Sequence, residues 1–163
     1  MYQEVLAICA AGVLACFALD AWQQLFKRLA GIPATNWALV GRWFVLTWQR
    51  KTMYQPGIDT ESPIAKELPL GWIVHYSVSM IYAVVYWLLI HASLLQPTWT
   101  DGLLFGAASV VVPWFYFMPC MGKGVMGKLT PNPAKACWVS LLSHLVYGTA
   151  MGAGFGWVQM ALN

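Results

Sequence analysis

Four stretches of this chain, residues 5–26, 70–95, 102–119 and 136–162, are apolar runs that approach or exceed the ~20 residues a helix needs to cross the hydrocarbon core of a bilayer. Runs of this kind predict an all-α fold: an integral membrane four-helix bundle, built as a single transmembrane domain over residues 1–163. Composition agrees. The chain is 60% hydrophobic and only 9% charged, against roughly 25% charged residues in a soluble globular domain. No linker rich in Ser, Gly or charge divides it. The third span is the shortest and contains Pro113, which removes a backbone hydrogen bond and is expected to kink the helix.

The nine Lys and Arg residues report topology. Lys27, Arg28, Arg42, Arg50, Lys51 and Lys66 lie between the first and second spans, and Lys123, Lys128 and Lys135 between the third and fourth. The short second loop and both ends carry none, so the positive-inside bias places the two long loops in the cytoplasm and both termini outside. Trp22, Trp72, Trp114 and Trp138 then fall near the inner interface, and Tyr2, Trp87, Trp99 and Trp157 near the outer one. A net charge of +3, clustered in this way, does not describe a nucleic-acid surface. The start of the chain lacks the basic region of a signal peptide, carrying Glu4 instead, and the first helix is expected to be retained.

In the first cytoplasmic loop Trp37, Val40, Phe44 and Trp48 recur at helical spacing, with Arg42 and Gln49 pointing away. This pattern fits an interfacial helix capped by Thr35 or Asn36 and ended by the turn Gln55-Pro56-Gly57. A segment packed against the bundle fits as well. Gly148, Gly152 and Gly156 are spaced by four, as are Gly102 and Gly106, a spacing that lets helix backbones approach closely in lipid. His75 and His144 both sit early in an outward-going helix, which suggests a parallel duplication of two spans. Cys9, Cys16, Cys120 and Cys137 form no CxxC pair and are read as small hydrophobes.

Asp20, His75 and His144 lie six, five and eight residues inside the cytoplasmic ends of three different spans, ~7 to 12 Å deep at 1.5 Å per residue. Ionisable groups are costly there and point by default to a functional polar site, the alternative being an Asp-His pair that only fixes helix register. Arg42 and Glu67 are placed at the mouth of that site, where they could pair. One Asp and two His are metal-ligand types, but no two share a helix at ligand spacing, so no metal is expected. His91, at the outer interface, is read as a hydrated surface residue. Gly122-Lys123-Gly124-Val125-Met126-Gly127-Lys128 matches both GxGxxG and the start of a P-loop in form only, because no strand precedes it and Leu129 replaces the required Ser or Thr. What survives is a contact between a lipid phosphate and the Gly124 backbone with Lys123, Lys128 and Lys135. Thr130-Pro131-Asn132-Pro133 restricts the chain before the fourth span. No Ser-His-Asp or Cys-His arrangement marks a catalytic nucleophile.

Gly41-Arg42-Trp43-Phe44, Glu67 with Gly71-Trp72 and His75-Tyr76, Pro119 with Gly122 and Gly124, Thr130-Pro131-Asn132-Pro133 and His144 together resemble the bacterial inner-membrane family filed as domain of unknown function 2938, across nearly the whole chain. The resemblance implies a small four-helix membrane protein in the bacterial inner membrane and brings no substrate, cofactor or reaction. The expected function is a small transport or lipid-handling protein with a cytoplasm-facing polar site. The alternatives are an accessory subunit of a larger membrane complex and, third, a membrane enzyme using the same site. Its expected partners are the bilayer, anionic lipid, and a larger complex or a second copy of the chain.

Overall fold

The computed structural model describes residues 2–162; Met1 and Asn163, the ends assigned to the outer side, lie outside the described residues. Among the described residues the chain is helical, without strands. Helix α1 runs Tyr2–Ala30, longer than the apolar run because Lys27 and Arg28 occupy its last turn, where cations meet the negative end of the helix dipole. Gly31, at φ +64°, returns its N–H to Lys27 O at 3.1 Å and closes the helix.

Helix α2, Trp37–Arg50, is capped by Asn36, whose side chain accepts from the Leu39 N–H. It stops five residues before the turn expected to end it. Lys51 takes the left-handed conformation (φ 55°) instead, and Gln55-Pro56-Gly57 serves a tertiary contact. The Gln55 N–H donates to Cys120 O at 2.7 Å, and a Cβ on Gly122 would meet Pro56 Cα. Helix α3 spans Glu67–His91. It ends before residue 95 because Leu94 and Leu95 fold back to donate to Leu89 O.

At Pro113 the helix changes its winding. Helix α4, Trp99–Ser109, gives way to a π-helical turn, Pro113–Phe117, in which Met118 N–H reaches back to Pro113 O, before the short helix α5, Met118–Cys120. A proline cannot supply the usual bond to the residue four before it, and the wider turn accommodates the gap. Helix α6, Pro133–Leu162, opens with proline at its first position, where no N–H is needed, and Asn132 Oδ1 accepts from Lys135 N at 3.0 Å.

By length and composition Tyr2–Ala30, Glu67–His91 and Trp99–Cys120 are able to cross a membrane. The sequence reading had four spans. Helix α6 is long enough, at 30 residues, but the polar residues Ser140, Ser143, His144 and Thr149 dilute its apolar run, and it is not in that group.

Contacts gather the chain into two compact units, one of Met1–Ala34, Tyr76–Ser109 and Leu141–Asn163, the other of Thr35–His75 and Val110–Ser140. In the first, Ala7, Ala11 and Ala15 recur every four residues on α1 and are buried in a core with Ala83, Tyr86, Phe105, Tyr147, Met151 and Phe155. A Cβ on Gly102 would strike the Gly148 carbonyl, and one on Gly106 the His144 carbonyl. The α4 and α6 backbones therefore touch, as the glycine spacing anticipates. Gly152 faces Thr98 O and Gly156 faces Pro97 O in the same way.

In the second unit Leu39, Trp43, Leu46 and Ile58 form the core, with Phe117, Cys120 and Met121 against it. Gly41 and Gly71 bring α2 onto the start of α3: a Cβ on Gly41 would strike Glu67 O, and one on Gly71 Trp37 O. The expected face of α2 is partly overturned. Val40 is buried, but Trp48 is 65% exposed and Arg42, assigned to the outer face, is 6% exposed.

Candidate functional site

A run of buried and half-buried polar side chains crosses the first unit. Near the end of α1, Asp20 Oδ2 accepts from the Tyr76 hydroxyl at 3.4 Å. One turn along α3, Ser79 Oγ donates to Gly12 O at 2.8 Å and lies 2.9 Å from the Tyr147 hydroxyl. Either hydroxyl is able to donate in that pair, and the Tyr147 hydroxyl also donates to Ser79 O at 3.3 Å. Three residues before Tyr147 on α6, His144 Nδ1 lies 2.8 Å from Ser109 Oγ, which is itself 2.9 Å from Gly106 O.

Two arrangements fit these distances. With the Ser109 proton on Gly106 O, Ser109 accepts from His144 and Nδ1 carries the ring proton, so that Nε2 keeps a lone pair to which no group among the described residues donates; with that proton on Nδ1, Nε2 carries the ring proton instead. Around His144 stand the Tyr82 and Tyr147 rings, each with its centroid 6.4 Å from the imidazole.

The polar residues of the second unit form a different construction. Arg42 Nε and Nη2 meet the two Glu67 oxygens at 2.8 and 2.9 Å, while Nη1 donates to Ile58 O and Glu61 O. The side chains of the pair are only 8% and 13% exposed. The bond to Glu67 raises the Arg42 pKa above its ordinary value, outweighing the effect of burial, so the guanidinium stays charged. Glu67 also accepts from the Ile64 N–H, and Arg50 bridges Gln55 and Glu61. His75, 8% exposed, stacks on Trp37 with ring centroids 3.8 Å apart.

The geometry therefore brings Arg42 and Glu67 together, and gives Asp20, His75 and His144 near neighbours that the sequence did not place beside them: Tyr76, Trp37 and Ser109. Ser79, Tyr147 and Ser109 were missed altogether. The signal available was weak, since Tyr147 follows His144 by three residues and Ser109 follows Gly106 by three, placing each pair on one helix face. Among the described residues no three His, Cys, Asp or Glu side chains are gathered closely enough to hold a metal ion. His91 is half exposed, and its Nε2 lies 3.3 Å from Glu4 Oε1.

In the glycine-rich loop the backbone is engaged with itself. The N–H groups of Gly122, Lys123, Gly127, Lys128, Leu129 and Thr130 donate to Pro119, Met118, Gly124, Val125, Lys123 and Gly127 carbonyls. These six are not free to cradle a phosphate; the Gly124 N–H, the one expected to meet it, is not among them.

A family model for proteins of unknown function, DUF2938, matches residues 9–158. The chain belongs to this family. No curated protein and no solved structure matches it. The DUF2938 match spans both units and includes Asp20, Arg42, Glu67, His75, Ser109 and His144. In this DUF2938 chain the residues that carried the resemblance, apart from Tyr76 and His144, lie in the second unit, among them Gly41, Arg42, Glu67 and Gly71 at a helix crossing, Gly122 against Pro56, and Asn132 at a helix cap.

Proposed function

We propose that this DUF2938 protein is a multi-pass protein of the bacterial inner membrane, a small transport or lipid-handling protein whose working group is His144. Membrane embedding is supported by the apolar side chains left open on the helices: Val5, Val13 and Phe17 on α1, Ile73, Ile81 and Leu88 on α3, and Leu104 and Val111 around the end of α4. Water would not tolerate such surface, whereas lipid covers it. We read α6 as the fourth span of a four-helix bundle. Trp138 and Trp157, 63% and 72% exposed, lie nineteen residues apart on it, about 28 Å at the helical rise, and belong to the two aromatic belts. Helix α2 lies at the cytoplasmic interface, where Trp48 reaches the headgroups, and both termini are periplasmic.

The observation that carries the functional reading is the His144 lone pair. Asp20, Ser79 and Tyr147 are bonded within the protein. We assign the Ser109 proton to Gly106 O, which leaves His144 Nε2 an acceptor on a half-buried side chain that no protein group among the described residues pairs. Inside a membrane such an acceptor is costly unless a donor reaches it, so a ligand bearing a hydroxyl, amide or acidic proton is the expected visitor. Arg42 and Glu67 belong in this reading to a clamp that holds α2 on α3, with four donors already engaged. Native mass spectrometry after gentle extraction tests it. A bound lipid or solute retained by wild type and lost in His144→Ala supports the proposal, and retention by the folded variant would refute it.

The same satisfied network favours a second reading, an accessory subunit of a larger membrane complex in which the polar seam only sets helix register. A partner of fixed stoichiometry in the same spectrum, kept by His144→Ala, would establish that reading in place of the first.

A further inference from the structure

The connection between α5 and α6 is short, polar in backbone and apolar in side chain. Gly122, Gly124 and Gly127 take φ near +70°, and Met126 sits at φ 52° in the left-handed region that a non-glycine residue rarely occupies. Four of its N–H groups are bonded within the segment and two more, from Gly122 and Lys123, to the carbonyls of Pro119 and Met118 in α5. The Cys137 thiol donates to Met126 O at 3.2 Å, and a Cβ on Gly127 would touch Ala136 Cβ, tying the loop to the first turn of α6. A loop held in this way has a fixed shape, and that shape turns apolar residues outward. Val125 is 41% exposed, Met126 36% and Leu129 71%, with Trp138 beside them in sequence at 63%. Gly124 leaves the room that Leu129 occupies, since a Cβ there would lie 3.0 Å from Leu129 Cγ.

A soluble loop tip of this size normally displays small polar residues. This one displays three large apolar side chains beside Lys123 and Lys128, with Lys135 and Trp138 at the start of α6, and the chain contains no Asp or Glu after Asp101. No acidic residue is near its lysines in sequence. Chain connectivity also fixes where the segment can be. It joins the end of one membrane-spanning helix, Trp99–Cys120, to α6, and so it stays within a few residues of the membrane surface.

We infer that this loop is a wedge for acidic phospholipid: Val125, Met126 and Leu129 enter the outer part of the acyl region of the cytoplasmic leaflet, and the three lysines hold the phosphates of acidic headgroups. The attraction comes from side-chain charge and apolar insertion together, as in amphipathic surface segments, and does not use a backbone nest. The inference rests on the membrane reading above and adds to it a lipid class and a binding surface.

The test uses the full chain in nanodiscs of phosphatidylcholine with phosphatidylglycerol, its four native cysteines replaced and a nitroxide attached singly at Phe17→Cys, Thr60→Cys or Leu129→Cys. Oxygen, which partitions into lipid, and a water-soluble nickel chelate are the relaxing agents. The label at position 129 is expected to favour oxygen, like that at 17, while position 60 favours the chelate. If position 17 favours oxygen and 129 the chelate, the wedge is wrong and the membrane reading stands; if both favour the chelate, the membrane reading itself fails. Where labelling at 129 disturbs folding, lipid selectivity decides. Changing Lys123, Lys128 and Lys135 to Gln should lower retention of phosphatidylglycerol relative to phosphatidylcholine by roughly fivefold per lysine, and unchanged selectivity in the native mass spectrum would overturn the proposal.

Discussion

Arg42 and Glu67, 25 residues apart in sequence, meet through two parallel hydrogen bonds of 2.8 and 2.9 Å in a site almost closed to solvent. Their geometry is the bidentate fork that only a guanidinium offers a carboxylate. The two remaining contacts of Arg42, to Ile58 O and Glu61 O, pull the loop after α2 onto the same point. Gly41 and Gly71 make the approach possible, because any side chain at either would collide with the opposing backbone.

Arg42→Ala should destabilise the protein by about 3–5 kcal/mol, since it strands the Glu67 charge in a buried site. Arg42→Lys should recover only part of that, as an ammonium cannot form the fork. Thermal unfolding in detergent, followed by helix signal, measures both. A loss in Arg42→Ala below ~1 kcal/mol, the range of exposed pairs, would show that the clamp is dispensable.

Gly152→Leu places a branched side chain against Thr98 O and the Gly102 backbone. The two helices must separate or bend, and overpacking of this kind costs about 1–3 kcal/mol. A clearly lowered unfolding temperature is expected. A variant as stable as wild type would mean that α4 and α6 do not meet at their glycines.

The Ser109 chain predicts a spectroscopic signature. With histidine nitrogens labelled by ¹⁵N in lipid, His144 should show a protonated Nδ1 and an unprotonated Nε2. In Ser109→Ala the acceptor for Nδ1 is gone, and the other tautomer should gain population. An Nε2-protonated wild-type ring would exclude the assigned hydrogen bonding.

Topology is open to chemical labelling. In a chain with its native cysteines replaced, a cysteine at Thr98 should react with an impermeant reagent added to intact cells. Cysteines at Asp59 and Lys128 should react only after the membrane is opened. The reverse pattern would invert the orientation derived from the lysines and arginines.

The sequence by itself determined what depends on sums over neighbouring residues. Long apolar runs specify helices able to enter a bilayer, because both length and hydropathy are local and additive. Pro113 is followed by a widened turn, Asn36 caps α2, and the glycine repeats lie where helix backbones touch, each a consequence of one residue's own backbone chemistry. Family membership was also legible, since its residues stand in fixed order along the chain.

Only the tertiary structure decided which polar groups meet. Each step along a helix turns a side chain by about 100°, so depth estimated from sequence places Asp20, His75 and His144 at similar levels without saying which way any of them points. Burial of Arg42 was equally hidden: the sequence offers Glu67 as a partner but sets Arg42 on the outer face of α2, and only packing closes the pair to solvent. Ser79, Ser109 and Tyr147 look in the sequence like ordinary polar residues among apolar ones. Packing between helices gives them their partners, and at His144 it sets Ser109 against Nδ1 and leaves Nε2 without a protein partner among the described residues.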